Sequence, residues 1–223
     1  MEDRRKILWL LVGLLGVLSV LLVWSEVYSL ANTFETGKPP PMARQEALAP
    51  TQPAIRPSDP ARGSSDPKAV TIVEFADFSC VYCRASEQEL RQVLLENKDS
   101  VRHVWRDMPV ASDNPTGVVA AVAGRCAAEQ NRFWDVHELL MSSPSLSLDS
   151  VKEMGRTLNL NQFAYEECLN SGRHVQSIQD DVAIAQEHGM TGAPTFFIGK
   201  QTLTGYVTAA DLRWAILKAK LGY

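Results

Sequence analysis

"AVTIVEFADFSCVYC", residues 69–83, carries an apolar run straight into two cysteines three positions apart. Its first eight residues read as a strand buried on both faces, and "RASEQELRQVLLE" after it has the apolar spacing of an amphipathic helix. "VRHVWRDM" then reads as a second strand. Together they predict a βαβ unit, with the cysteines placed where strand gives way to helix.

A Cys-x-x-Cys pair in that position has three physical readings. Zinc takes four ligands, usually as two close pairs. Cys126 and Cys168 are remote in sequence, and His103, His137, His174 and His188 lack ligand spacing, so no metal site is expected. A structural staple across so short a loop would remove little unfolded-state entropy. Redox exchange needs a thiol that ionises near neutral pH, which a helix N-terminus favours. Cys80 stands at that start, and Cys83, about one turn further on, can attack a mixed disulfide formed by Cys80. Glu74 points the same way, because a carboxylate is costly inside a strand buried on both faces. Such local conflicts tend to mark function, and a carboxyl beneath the pair could move a proton as Cys83 changes state. The alternative for Glu74 is an edge position facing solvent.

The chain has 223 residues, 45% hydrophobic and 22% charged, with a formal net charge of -4. That composition is globular, and without a basic stripe nucleic acid is not an expected partner. Residues 7–24, "ILWLLVGLLGVLSVLLVW", contain no charge. At ~1.5 Å per residue they would span roughly 27 Å, close to a bilayer's hydrocarbon thickness, and read as a transmembrane anchor. Arg4, Arg5 and Lys6 precede the run and Glu26 follows it. Residues 1–6 are therefore expected in the cytoplasm, and the rest on the periplasmic or extracytoplasmic side of the cell membrane, tethered by a single pass. A cleaved signal peptide ending near "SLA" at 29–31 is the competing reading. Both place the downstream chain where disulfides persist.

Residues 25–68 read as a proline-rich linker: positions 32–68 hold eight of the twelve prolines and almost no large apolar residue. Such a chain runs extended at ~3.1 Å per residue and acts as a spacer. Beyond the βαβ unit lie four helical stretches: "NPTGVVAAVAGRCAAEQNRFWDVHELLM", "LDSVKEMGRTLN", "NQFAYEECLN" and "HVQSIQDDVAIAQEHG". Asp149 and Asn161 are candidate caps or first-turn residues, and Gly189 a C-terminal stop. "TFFIGKQTLTGYV" reads as a β-hairpin and "TAADLRWAILKAK" as a final helix. Phe133, Trp134, Leu139 and Leu140 recur at helical spacing and are expected in the core, and His188 is expected as a helix-end partner.

An acid six positions before a Cys-x-x-Cys at a helix start, with "TGAPTFF" (191–197) far downstream, resembles the thioredoxin-fold thiol-disulfide oxidoreductases. The helical block at about 112–172 is similar to the insertion of the DsbA branch. The resemblance covers about residues 69–222. It implies an α/β, thioredoxin-like domain over 69–223, with an inserted helical domain, acting as an enzyme without a cofactor. Carried over residue by residue, Cys80 corresponds to the nucleophile, Cys83 to the resolving cysteine and Glu74 to the buried acid. Pro194 corresponds to the family's cis-proline, with the Ala193 backbone beside the thiols to receive an extended substrate strand. Tyr82 is a candidate substrate contact. The implied partners are cysteine-containing exported proteins and a membrane redox partner.

Two departures bear on this. Val81 and Tyr82 stand where many DsbA-like proteins carry Pro-His or Pro-Tyr, so their oxidising strength does not carry over. Cys126 and Cys168 form an additional pair, expected to be a structural disulfide closing a loop of about 40 residues, worth roughly 3–4 kcal/mol in the chain-entropy model. Two buried free cysteines, or a redox relay to the active pair, are the alternatives. An isomerase or reductase of the same fold, or a tethered metal- or peptide-binding module, remains open as an alternative function.

Overall fold

The computed structural model describes Leu18, Ser19, Leu21, Leu22 and Trp24, together with residues 52–109, 115–143 and 145–223. The chain divides into two units, residues 1–40 and 41–223. The five described residues of the first unit are helical and exposed. Otherwise the expected cytoplasmic segment 1–6, the anchor 7–24 and the linker as far as residue 51 lie outside the described residues. Among the described residues no helix is long and apolar enough to cross a membrane.

The second unit is organised by a five-stranded mixed sheet in the order β1-β3-β2-β4-β5. Its strands are β1 (Ala61–Gly63), β2 (Val70–Ala76), β3 (Val101–Asp107), β4 (Thr195–Ile198) and β5 (Gln201–Thr204). β2 pairs parallel with β3, and the other neighbours pair antiparallel. Parallel neighbours need a crossover, and α1 (Val81–Glu96) supplies it. Because β2 has a partner on each side, its apolar residues are sealed: Ile72, Val73 and Phe75 are fully buried. Side chains alternate across the sheet. Ile72 and Glu74, in register with His103 and Trp105, share one face, while Val73 and Phe75, in register with Val104 and Arg106, share the other.

Among the described residues five helices separate β3 from β4: α2 (Pro115–Ala128), α3 (Phe133–Ser142), α4 (Leu148–Thr157), α5 (Gln162–Ser171) and α6 (Val175–Glu187). α7 (Ala209–Lys220) closes the chain. The expected long helix through "AAEQNRFWDV" is divided at Asn131, whose φ of 57° lies in the left-handed region. Caps define the other ends. Ser147 caps α4 in a reciprocal box with Ser150, so Asp149 is a first-turn residue, while Asn161 itself caps α5 through the Ala164 amide. Gly189, at φ 67°, stops α6, and His188 donates from Nδ1 to the Ile184 carbonyl at 2.9 Å. Two apolar cores result. One joins Ile72, Phe196 and Ile198 to Leu90 and Val93 of α1 and Leu212 and Ile216 of α7. The larger joins Val73, Phe75 and Trp105 to the helical block, with Phe133 and Leu140 buried and Trp134 and Leu139 packed against them.

The linker expected to reach residue 68 ends earlier. Pro53, Asp59 and Pro60 are buried, Trp105 N–H donates to the Pro60 carbonyl at 2.9 Å, and β1 forms the edge of the sheet against β3. Apolar patterning missed this segment because charge and backbone hold it. Arg56, Arg106 and Arg125 interlock with Asp59, Asp107 and Asp181, with Arg106 Nε 2.7 Å and Arg125 Nη2 2.7 Å from Asp181. The cluster joins the N-terminal segment, β3, α2 and α6. Removing one member of a buried charge set strands the others at a cost of about 3–5 kcal/mol. Asp181→Ala should therefore lower unfolding stability by about that amount, read as a shift in urea midpoint with little change in slope.

Candidate active site

β2 ends at Ala76, and the chain turns through Asp77, Phe78 and Ser79 before α1 begins at Val81. Phe78 anchors the turn by stacking on Trp105 at 4.6 Å between ring centres. Cys80 occupies the N-cap position with extended backbone (φ -80°, ψ 126°), and its Sγ accepts the Cys83 N–H at 3.3 Å. An N-cap side chain faces the unpaired amides of the first turn. Here that side chain is a thiol.

The two thiols differ sharply. Cys80 is partly exposed, and its pKa falls from 9.0 to about 7. The hydrogen bond from the Cys83 side chain lowers it most, burial opposes the shift, and the Cys83 and Tyr82 amides add to it. Cys83 is fully buried, and burial pushes its thiol well above the ordinary value, reinforced by Cys80. The Asp77 N–H, 3.5 Å from Cys83 Sγ, opposes that rise. Glu74 is fully buried on the central strand, which excludes the edge position. Burial, then Glu87, hold its carboxyl well above the usual range, with Arg62 opposing.

The peptide between Ala193 and Pro194 is cis, immediately before β4. It brings the Ala193 carbonyl within 3.4 Å of Cys80 Sγ. Pro194 is held in turn by Gly205, whose N–H donates to the Pro194 carbonyl at 2.8 Å. Tyr82 is half-buried, and Val81 beside it is 54% exposed, so the dipeptide's outward face is the valine. Cys126 of α2 and Cys168 of α5 are bonded as a disulfide, with their Cα atoms 5.7 Å apart. They tie two helices of the inserted block.

Further polar residues surround the pair that the sequence reading did not single out. Asp77 is 5% exposed, and its carboxylate accepts from Ser79 N at 2.8 Å and Ser79 Oγ at 2.7 Å. Its charge raises the Cys80 pKa. Gly117, near the start of α2, fits against it: a Cβ there would stand 2.8 Å from Asp77 Oδ1. Glu87 is buried beneath α1 and bonds Arg62 Nη2 at 2.8 Å. Its place one turn beyond Cys83 and three residues before Leu90 was a readable signal. His103 lies 2.8 Å from Glu74. Strand parity, which groups it with Val101 and Trp105, would have turned it inward.

Among the described residues two groups come near metal-ligand spacing, Cys126/Cys168/His174 and Glu87/His137/Glu138. The sulfurs of the first are spent in the disulfide. Both carboxylates of the second are paired with arginines, Glu87 with Arg62 and Glu138 with Arg62 and Arg91, which disfavours a further cation. Cys80 and Cys83 form a polarised pair, one thiol shifted down and the other up.

A family model described as thioredoxin matches residues 56–218. Among curated proteins, the Na(+)/H(+) antiporter NhaA 3 of Salinispora tropica is 34% identical over 151 residues, covering 67% of this chain and 23% of that protein. The chain spans about a quarter of the length of the curated relatives it matches. Among solved structures, a thioredoxin-like oxidoreductase from Silicibacter pomeroyi shares 26% identity with a TM-score of 0.67, covering 75% of this chain and 95% of that one. BdbD from Bacillus subtilis, in its oxidised form, superposes with a TM-score of 0.69 at 18% identity, over 80% of this chain and 100% of that one. The thiol-disulfide exchange protein alpha-DsbA2 of Wolbachia pipientis gives 0.64 at 20% identity, over 72% and 87%. The architecture is an α/β thioredoxin-like fold with helices and a mixed sheet.

The unequal thiols set an expected labelling pattern. Alkylation of Cys80 should rise with pH through an inflection near 7, while Cys83 stays unreactive until the protein is denatured. Asp77→Asn should move that inflection downward, because the carboxylate it removes opposes the thiolate. Mass spectrometry of each cysteine after timed alkylation reads both effects.

Proposed function

Because the chain belongs to the thioredoxin family, we propose that it is a DsbA-like thiol-disulfide oxidoreductase that forms or exchanges disulfides in exported proteins. The observation that carries this reading is Cys80 itself. It is a partly exposed thiol at a helix start, with a pKa of about 7, hydrogen-bonded to the Cys83 amide and beside the Ala193 carbonyl. Cys80 is the nucleophile, Cys83 the resolving thiol and Glu74 the proton carrier. Ala193 and Pro194 supply the strand edge for an extended substrate, with Tyr82 as a further substrate contact.

In the oxidising direction a substrate thiolate attacks Sγ of Cys80 in the Cys80–Cys83 disulfide, and Cys83 leaves as a thiolate that takes a proton. A second substrate thiolate then attacks the substrate sulfur of the mixed disulfide and releases Cys80 as a thiolate. Two electrons pass to the pair, and a membrane redox partner removes them. Residues 7–24 anchor the protein with its thiol domain on the extracytoplasmic side, as the charge pattern around the apolar run supports. Disulfide isomerisation or reduction is the second reading, because Val81 and Tyr82 stand between the cysteines where many DsbA-like proteins carry Pro-His or Pro-Tyr.

The test uses the full-length chain equilibrated in glutathione buffers, with each cysteine assigned by alkylation and mass spectrometry. Only the Cys80–Cys83 couple should titrate. A midpoint above about -200 mV indicates oxidase or isomerase work, and one near -270 mV reduction. Cys80→Ser should lower exchange with a dithiol peptide by more than ~10³-fold, and Cys83→Ser should accumulate a mixed disulfide at Cys80. A wild-type pair that does not exchange sinks the proposal in favour of a binding module.

A further inference from the structure

His103 is the second residue of β3 to face α1, after Val101, and the parallel register sets it opposite Ile72, one pleat from Glu74. Its Nε2 lies 2.8 Å from Glu74 Oε2, and both side chains are fully buried. Its other nitrogen, Nδ1, receives the Nε–H of Arg62 at 3.2 Å. That second contact decides the first. A guanidinium keeps its protons throughout the pH range of a folded protein, so Arg62 can only donate and Nδ1 can only accept. A neutral imidazole has one ring proton, and it must then sit on Nε2, which donates to Glu74 Oε2.

Arg62 is itself fixed. Its Nη2 bonds Glu87 at 2.8 Å, its Nη1 bonds Glu138 at 2.9 Å, and its guanidinium carbon lies 4.2 Å over the ring of Trp134. Burial, then the charge of Arg62, hold His103 well below its ordinary pKa, in keeping with a neutral ring. The charged and titratable groups around this pair are Arg62 from β1, Glu87 and Arg91 from α1, His137 and Glu138 from α3, and Cys80 with Cys83. Proton relay through His103 to solvent is closed, because Arg62 has no site to accept a proton. Oε1 of Glu74, by contrast, has no hydrogen-bond partner in the protein among the described residues.

Resting on the thiol-exchange reading, we propose that His103 is the positioning residue for Glu74. Its Nε2–H occupies Oε2, so that the acid trades its proton with the thiol pair through Oε1 alone. In the reducing direction Cys80 thiolate attacks a substrate disulfide and forms a mixed disulfide, expelling one substrate sulfur as a thiolate. The Cys83 S–H then passes its proton to Oε1 of the Glu74 carboxylate. Cys83 thiolate attacks Cys80 Sγ and breaks its bond to the second substrate sulfur, which leaves as a thiolate. Two electrons have moved from the pair to the substrate disulfide, and Glu74 holds the proton through Oε1 until the pair is next reduced and Cys83 takes it back. The His103 bond favours the carboxylate that this step needs, so losing it raises the pH at which Glu74 ionises.

The experiment follows glutathione release from the Cys80–glutathione mixed disulfide of the full-length protein, from pH 5 to 10. Glu74→Gln should abolish one inflection of that profile and so assign it. His103→Leu and His103→Asn should move the same inflection up by at least about one pH unit, a tenfold change in the proton equilibrium. His103→Gln, whose amide can still donate, should bring it back toward the wild-type position. The asparagine variant is too short to reach but keeps a polar group in the site, so it serves if the leucine variant does not fold. Unmoved inflections in the leucine or asparagine protein overturn the proposal, as does a glutamine variant displaced as far as leucine. A profile indifferent to Glu74→Gln overturns it too. A wild-type protein that releases no glutathione overturns the thiol-exchange reading with it, whereas normal release with an unmoved inflection overturns the role of His103 alone.

Discussion

An α-helix begins with backbone amides that have no partner inside it, and in this fold the side chain that caps them is a thiol. Cys80 can serve as that cap only where the chain stops being strand and starts being helix, so the position of the α1 start is the constraint on which the rest depends. β2 must end at Ala76 for the turn to form, and β2 stays in place because it is buried between β3 and β4. The cis Ala193–Pro194 step then returns the chain to the same end of the sheet, against the sulfur.

Polarity is rationed around that point. The Cys80 thiol meets amides and ionises near neutrality, while Cys83 and Glu74, deeper in, are pushed toward their protonated forms by loss of solvent. The gradient from surface to interior gives one nucleophile and two proton-holding groups. Arg62 prevents the deeper layer from becoming a set of unpaired carboxyls, since it bonds both Glu87 and Glu138 and fixes His103 from the other side. The edge strand β1 thus contributes a central electrostatic element of the site.

Much of this was legible in residue order. The Cys80–Cys83 pair, the conflict posed by Glu74 in an apolar strand and the sequence of strands and helices all follow from local pattern, because each is stated within a dozen residues. Glu87 and His103 were missed although helix and strand parity turn both inward, since neither breaks its own segment's pattern as visibly as Glu74 does. β1 was not legible. "ARG" has three residues and no alternation to detect, and what fixes it is Asp59 and Arg56 meeting Asp181 and Arg106, partners up to 125 positions away. Ion pairs across such separations leave no local trace in composition or periodicity.

That edge has a mechanical consequence. The chain enters the domain along an antiparallel strand and through a cluster of six charges, five of them buried, well before it reaches β2. A pull applied upstream of residue 52 loads the Arg106–Ala54 hydrogen bond and the Arg56 and Asp59 contacts before the β1–β3 hydrogen bonds. The strand carrying Glu74 and the turn carrying Cys80 are shielded until those have given way. The segment works as a strain relief, of the kind fitted where a cable enters an instrument.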